Sequence, residues 1–157
     1  MNVLVVYDSK YGNTKIIAGA IADALAGRAS VRLQTASERA LDLEGLDLLV
    51  IGGPTQVHGL TAPMGELVAG MTSTEVPVAT FDTRFKIPQF LAGSAASSIA
   101  KTLKQNGIKL VVPPQSFFVH GTEGPLVKGE LERASAWGTE LLATIGDSVK
   151  EVAAAGS

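Results

Sequence analysis

The chain has 157 residues, of which 46% are hydrophobic and 18% are charged, and its formal net charge is −2. This composition is typical of a globular domain large enough for a layered core, and it excludes an intrinsically disordered chain. The charge balance gives no indication of a basic face for nucleic acid, and the absence of cysteine excludes disulfides, thiolate metal sites and cysteine-based catalysis.

No targeting or membrane segment is evident in the sequence. No apolar run approaches the roughly 20 residues that a membrane helix requires. The first residues lack the basic region and long apolar region of a secretory signal. We therefore expect one domain over residues 1–157, located in the cytoplasm, with neither a membrane nor a nucleic acid as its partner. The sequence is silent on the oligomeric state.

Strand-like and helix-like patterns alternate along the chain. The apolar run Val3–Tyr7 predicts a buried strand, and the helical spacing that follows predicts a helix over residues 14–28, with Asn13 and Thr14 as candidate caps. Further strands are predicted at residues 31–35, 46–51, 76–81, 108–112 and 116–120, and further helices at 63–69, 91–105 and 126–149. One face of the helix over residues 91–105 is predicted to carry Leu91, Ala95, Ile99 and Leu103. Expected core contacts of the last helix are Leu131, Trp137, Leu141, Leu142 and Ile145.

This alternation predicts an α/β fold. Buried strands that alternate with helices form parallel sheets with right-handed crossovers and helices on both faces. Ligands bind such sheets beyond the carboxyl ends of the strands. The polar loops that follow the first, third and fourth strands are therefore the candidate site.

The first of these loops, Ser9–Thr14, offers donors for one phosphate group. It lacks the G-x-x-x-x-G-K-[ST] motif of triphosphate sites and the G-x-G-x-x-G motif of dinucleotide sites. It has hydroxyls at Ser9 and Thr14, an amide at Asn13, and backbone N–H groups near Gly12 at the start of a helix, where an anion is favoured. An ordinary strand-to-helix turn with a good cap accounts for the same residues, so this loop alone leaves both readings open.

The run Val5–Thr14, followed by Ala18 and Ile21, resembles the FMN-phosphate signature of flavodoxins. This resemblance extends over nearly the whole chain. Because no long insertion splits the fifth strand, the chain resembles the short-chain form of the family. It implies a flavodoxin-like fold, a five-stranded parallel sheet of order 2-1-3-4-5 with helices on both faces, and noncovalently bound FMN as cofactor. The cofactor-binding residues that it implies in this loop are Ser9, Lys10, Tyr11, Gly12, Asn13 and Thr14.

The second loop, Gly52–Gly59, resembles the flavodoxin loop that lies against the isoalloxazine ring. The resemblance implies Thr55 near the phosphate or ribityl chain, and Val57 or His58 beside one face of the ring. It also implies that Gly59 lies where a flexible peptide can turn its carbonyl toward flavin N5, a change that glycine permits at low cost. Without the resemblance, the favoured interpretation of His58 is an exposed loop histidine. The cofactor-binding residues implied here are Pro54, Thr55, Gln56, Val57, His58 and Gly59.

The third loop, Asp82–Lys86, stands where the family has its second ring-binding loop. Many flavodoxins carry there an acidic, glycine-containing loop with a stacked tyrosine, and this chain has neither. Phe85 is either the stacking residue or a core residue. The implied cofactor-binding residues are Asp82, Thr83, Arg84 and Phe85. The candidate loops carry more positive than negative side chains: Arg84, Lys86, Lys10 and, when protonated, His58, against Asp8 and Asp82. Because nearby cations stabilise an anionic reduced flavin, we predict a less negative potential for the second electron than in acidic flavodoxins.

The function implied by the resemblance is that of an FMN-binding electron-transfer protein. Its partners would be redox proteins, a reductase and an acceptor, which the sequence does not identify. The first alternative is a flavodoxin-fold FMN-dependent oxidoreductase acting on a quinone or similar small molecule, and the second is a binding module that has lost its cofactor. No catalytic residue or metal ligand is predicted, since G-x-S-x-G is absent and His58 and His120 form no metal motif.

Overall fold

The computed structural model describes residues 1–38, 40–57 and 59–156. In this part of the chain, five parallel strands form one sheet in the order 2-1-3-4-5, which confirms the predicted flavodoxin-like fold. The strands are β1 (Asn2–Tyr7), β2 (Ser30–Thr35), β3 (Leu48–Pro54), β4 (Val78–Phe85) and β5 (Gln115–Val119). The helices are α1 (Asn13–Ala26), α2 (Ala62–Ala69), α3 (Gln89–Ala92), α4 (Ala95–Gln105) and α5 (Glu130–Ala155).

Helices cover both faces of the sheet. Successive strand side chains point to opposite faces, so Val3 and Val5 of β1 pack in the core with α1 and α5, whereas Leu4 and Val6 pack with α2 and α4. Because both faces are covered, β1 is apolar at every position from Val3 to Tyr7. The rings of Phe81, Phe117 and Trp137 meet edge to face, with centroids 6.0–6.3 Å apart, and join α5 to β4 and β5.

Two strands extend beyond their predicted ends. β3 continues from Ile51 through Gly52 and Gly53 to Pro54, where the sequence indicated a turn. A Cβ atom at Gly52 would lie 2.2 Å from ring atoms of Phe81, so glycine here makes room for a buried aromatic ring. β4 likewise continues to Phe85, because its last residues pair with the whole of β5.

The predicted helix over residues 91–105 is two helices. Gly93, at φ 74° and ψ −177°, ends α3, and the Ser94 hydroxyl caps α4 by accepting from the N–H of Ser97 at 3.2 Å. The prediction that Leu91 shares a helix face with Ala95, Ile99 and Leu103 is therefore wrong. Leu91 lies on the exposed α3, whereas the other three are buried on α4.

The regions on either side of β5 also differ from the prediction. Residues 108–112 form no strand, and only Leu110 makes a bridge, to Val78. The last helix begins at Glu130, after Gly129 at φ 91°, which leaves Leu131 exposed. It continues to Ala155, beyond the predicted end at residue 149. Among the described helices, none has the length and apolar character needed to cross a membrane.

Candidate functional site

A cleft of about 340 Å³ opens at the carboxyl edge of the sheet. This volume lies within the range of small-molecule and cofactor sites. Twelve of the sixteen residues predicted to bind the cofactor line it: Ser9, Lys10, Tyr11, Asn13, Thr14, Pro54, Thr55, Gln56, Val57, Thr83, Arg84 and Phe85. The ends of β1, β3 and β4 therefore bring the three candidate loops around one cavity.

The loop between β1 and α1 leaves several backbone donors exposed to the cleft. Gly12 is the N-cap of α1, with φ 96° and no side-chain cap, so neither Asn13 nor Thr14 caps the helix as predicted. The Ser9 hydroxyl shapes the loop by accepting from the N–H groups of Gly12 at 3.1 Å and Lys15 at 3.4 Å. The N–H groups of Lys10, Tyr11, Asn13 and Thr14 have no acceptor within the described residues.

Hydroxyl groups add to these donors. Ser9 Oγ and Thr55 Oγ1 both accept from backbone N–H groups, Thr55 from Ala95 at 2.8 Å, so each hydroxyl proton is available to a ligand. Thr14 and Thr83 share one hydrogen bond, with 2.7 Å between their hydroxyl oxygens, which leaves the second proton of that pair available. Neutral donors that converge at a helix N-terminus are the chemistry that binds a phosphate dianion.

No Asp or Glu among the described residues lines the cleft. Asp8 Oδ1 accepts from the N–H of Ser9 at 3.0 Å. Asp82, predicted to bind the cofactor, is fully buried on the opposite side of β4, where its Oδ2 accepts from Ser94 Oγ and from the N–H of Ala96. This placement follows from the extension of β4, since alternation along a strand puts Asp82 and Thr83 on opposite faces.

Two other predicted residues that do not line the cleft, Gly12 and Gly59, belong to the loops around it. Gly12 contributes backbone at the start of α1. Gly59, at φ 99°, closes a turn with Gln56 through two hydrogen bonds, in which the Gly59 carbonyl accepts at 3.2 Å and the Gly59 N–H donates at 3.1 Å. His58 lies outside the described residues.

Arg84 is a lining residue of the cleft, and its guanidinium is held in place by neighbouring groups. Its Nε donates to Ser116 Oγ at 2.9 Å, its Nη1 donates to the Ile87 carbonyl at 2.9 Å, and its guanidinium lies 5.2 Å from the ring centroid of Phe118. Lys10 adds a second cation, whose Nζ lies 5.4 Å from the Tyr11 ring centroid. Lys86 is exposed and does not line the cleft.

The rim of the cleft is apolar. Tyr11, Val57 and Phe85 line it and are respectively 45%, 93% and 39% exposed. Phe85, for which the sequence left two alternatives open, is therefore at the cleft and not in the core. Exposed apolar side chains around a polar interior suit a ligand with one charged end and one flat aromatic end.

The sequence reasoning missed two lining residues, Val119 and Thr122. Both come from the end of β5 and the turn after it. The rule that ligands bind at the carboxyl ends of parallel strands applies to β5 as well, and the glycines of this turn were a further signal. Gly124 lies so close to Asn13 that a Cβ atom would be 2.7 Å from Asn13 Oδ1. No group of three potential metal ligands occurs among the described residues.

A family model described as "Flavodoxin domain" matches residues 4–80, which include the first two segments of the cleft. Over these residues, which make up just under half of its length, the chain is similar to the flavodoxin family. FMN is the cofactor of this family, and the donors of the Ser9–Thr14 loop and the apolar rim fit its phosphate and its ring respectively.

Solved structures share the flavodoxin fold. A flavodoxin from the domain Archaea is 21% identical, with a TM-score of 0.74, and the match covers 93% of this chain and 99% of that chain. Flavodoxin 1 from Bacillus cereus is 18% identical, with a TM-score of 0.75 and coverages of 91% and 98%. A WrbA-like flavodoxin from Agrobacterium tumefaciens is 18% identical, with a TM-score of 0.64 and coverages of 93% and 98%. No curated protein sequence matches the chain.

Proposed function

We propose that this protein binds FMN in the cleft and transfers electrons between two redox proteins, a reductase and an acceptor. The observation that carries the proposal is the polarity of the cleft: unpaired N–H groups at Lys10, Tyr11, Asn13 and Thr14 lie at one end, and exposed apolar side chains form the rim. FMN, when bound, supplies the redox chemistry. The chain binds it, orients it and sets the charge around it.

The phosphate end is proposed to give affinity and orientation. The four N–H groups and the hydroxyls of Ser9 and Thr55 would hold the phosphate, and the dipole of α1 favours its negative charge. The Thr14–Thr83 hydrogen bond holds this loop to β4, so the donors are positioned before the cofactor arrives. A rigid set of donors loses little entropy on binding.

The ring end is proposed to set the reduction potential. Arg84 and Lys10 line the cleft, and no described carboxylate lines it. A cation stabilises added negative charge, and the effect grows where solvent is displaced. We therefore expect a potential for the second electron that is less negative than in flavodoxins with acidic ring-binding loops. Gly59 is proposed to let its peptide change orientation as the ring takes up a proton.

A two-electron reductase of a quinone or similar molecule is the second candidate. The positive charge of Arg84 beside a cleft without described carboxylates favours it, since such a site suits an anionic reduced flavin. The open, exposed rim formed by Tyr11 and Val57 favours the carrier, because a protein partner can approach the ring there while no described element covers a substrate pocket.

Stepwise reduction of the FMN-loaded protein, followed by its visible spectrum, tests the carrier against the reductase. Accumulation of a one-electron-reduced state, together with negligible steady-state turnover of NADH or NADPH with a soluble quinone, is the expected result. Direct passage to the two-electron-reduced state with rapid quinone turnover would instead establish the reductase. A protein that takes up no FMN would contradict both.

A further inference from the structure

The charges of this chain are segregated along the sequence. Residues 83–122 contain five Lys and Arg and no Asp or Glu, whereas the rest of the chain contains eight Lys and Arg and all fifteen Asp and Glu. The overall net charge of −2 conceals this basic segment, which is why the composition gave no sign of a basic face. The segment comprises the end of β4, α3, α4 and β5, and it therefore lies at the β5 edge of the sheet.

The same segment carries an unusual group of exposed apolar side chains. None of the residues of α3 is buried, and Phe90 and Leu91 are 86% and 68% exposed. Ile87 and Phe85 just before them are also exposed. We define the α3 surface as these four side chains with the lysines beside them: Phe85, Ile87, Phe90, Leu91, Lys86 and Lys101. Contiguous exposed apolar groups mark interaction sites on soluble proteins.

The α3 surface is continuous with the cofactor cleft. Phe85 lines the cleft at one end of the surface. At the other end, Phe90 and Lys101 line a groove between α3 and α4 together with the hydroxyl-bearing Ser94, Ser97 and Ser98. The Ser94 hydroxyl donates to Asp82, but the Phe90 ring, Lys101 and the hydroxyls of Ser97 and Ser98 form a suitable site for carboxylate side chains.

Hydrogen bonds hold this surface in place with its apolar side chains outward. Arg84 Nη1 donates to the Ile87 carbonyl at 2.9 Å, and Gln89 Nε2 donates to Ser97 Oγ at 3.0 Å, which ties α3 to α4. The N–H of Gly93 donates to the Gln89 carbonyl at 2.6 Å and closes the helix. The side chains of Phe90 and Leu91 are thus presented on a defined backbone.

We propose that the α3 surface docks an acidic protein. The apolar side chains would be buried at the centre of the interface, and Lys86 and Lys101 would pair with carboxylates at its rim. This inference rests on the proposed function, because a partner seated beside Phe85 lies next to the cofactor cleft and can exchange electrons there. A nucleic acid is a poorer fit, since it would leave Phe90 and Leu91 without apolar contacts.

The proposal is tested on the FMN-loaded, ¹⁵N-labelled protein with two haem proteins as probes, the acidic cytochrome b5 and the basic cytochrome c. The visible spectrum first establishes that FMN is bound, so a failure of the cofactor assignment is seen separately. With both probes oxidised, amide shifts in residues 84–101 are expected on titration with cytochrome b5 and not with cytochrome c. The affinity should fall as salt is added.

Matched variants locate the interaction. Lys86→Glu and Lys101→Glu should each weaken cytochrome b5 binding about tenfold, whereas Lys150→Glu, an equal charge change on the exposed end of α5, should leave it unchanged. Phe90→Ser should also weaken it, and Val152→Ser, at a 73% exposed position of α5, should not. All five sites are exposed, so the fold should be retained.

Several outcomes would overturn the proposal while leaving the FMN assignment intact. These are amide shifts outside residues 84–101, no binding of cytochrome b5, or an equal loss of affinity in Lys150→Glu. Stronger binding to vesicles of anionic lipid or to duplex DNA than to cytochrome b5 would assign the surface to a membrane or a nucleic acid. Self-association that Phe90→Ser abolishes would assign it to a second copy of this chain.

Discussion

Replacing Gly52 by alanine tests how the sheet accommodates its aromatic core. Gly52 lies in β3 beside Phe81 of β4, and a Cβ atom there would stand 2.2–2.4 Å from three ring atoms of Phe81. Carbon atoms prefer separations of about 3.5–4.0 Å, so the methyl group cannot enter unless the ring moves by more than an ångström. The adjacent Gly53 is a matched control, since its Cβ would contact Met64 at an ordinary 3.9 Å.

The cost of Gly52→Ala follows from the packing around Phe81. The ring is fully buried and meets Phe117 and Trp137 edge to face, with centroids 6.3 and 6.2 Å away. Insertion of a group into a packed core costs about 1–3 kcal/mol, and a ring held on two sides puts this site near the upper value. For a chain of this length that corresponds to a melting temperature lower by roughly 6–12 °C. Gly53→Ala should stay within about 1 kcal/mol of the parent.

Urea unfolding of the apoprotein, followed by fluorescence and circular dichroism, measures both variants. Phe81→Leu provides a second check, because a smaller side chain leaves room for the methyl group. We expect Gly52→Ala to cost less than half as much in the Phe81→Leu background as in the parent. If Gly52→Ala is no more destabilising than Gly53→Ala, the steric explanation for the glycine in β3 is wrong.

Three further substitutions test the cleft and its support. Thr14→Val and Thr83→Val should each lower the free energy of unfolding by about 1–2 kcal/mol, because each leaves a buried hydroxyl without its partner. The double variant should lose less than the sum of the two single losses. Additive losses in urea unfolding would argue against the hydrogen bond between Thr14 and Thr83. In a redox titration, Arg84→Gln should make the potential for the second electron more negative by roughly 30–60 mV, or about 0.7–1.4 kcal/mol. Lys86 does not line the cleft, so Lys86→Gln should shift this potential far less. Glu130→Gln should destabilise the fold by about 1–3 kcal/mol, since the buried Glu130 accepts from the Phe118 N–H at 2.8 Å and from Arg133 at 3.1 Å. Glu132→Gln, at an exposed position in the same turn of α5, is its control. Equal losses of stability in thermal unfolding would contradict the role of Glu130.

The strand order and the position of the cleft could be predicted because they depend on local patterns. An uninterrupted apolar run such as Val3–Tyr7 requires cover on both faces of the sheet, and alternation with helices then requires parallel strands. The carboxyl ends of the strands follow from that topology. Twelve of the residues that the sequence predicted to bind the cofactor consequently line one cleft.

The errors arise where distant parts of the chain decide the local structure. Asp82 was assigned to a loop, but pairing with β5 extends β4 and turns this side chain away from the cleft. The helical period runs through Gly93 without a break, although the backbone of that residue ends α3 and leaves Leu91 exposed. The basic segment 83–122 escaped notice because a net charge sums over the whole chain.

A comparison of FMN with riboflavin tests the central claim most directly. The two ligands share the ring and ribityl chain, and only FMN has the phosphate that the Ser9–Thr14 loop is proposed to bind. Two charge-assisted hydrogen bonds contribute about 3 kcal/mol, so fluorescence titration of the apoprotein should give an affinity at least ~100-fold higher for FMN. Ser9→Ala should reduce this difference. Equal affinities for the two ligands would contradict the assignment of this loop as the phosphate site.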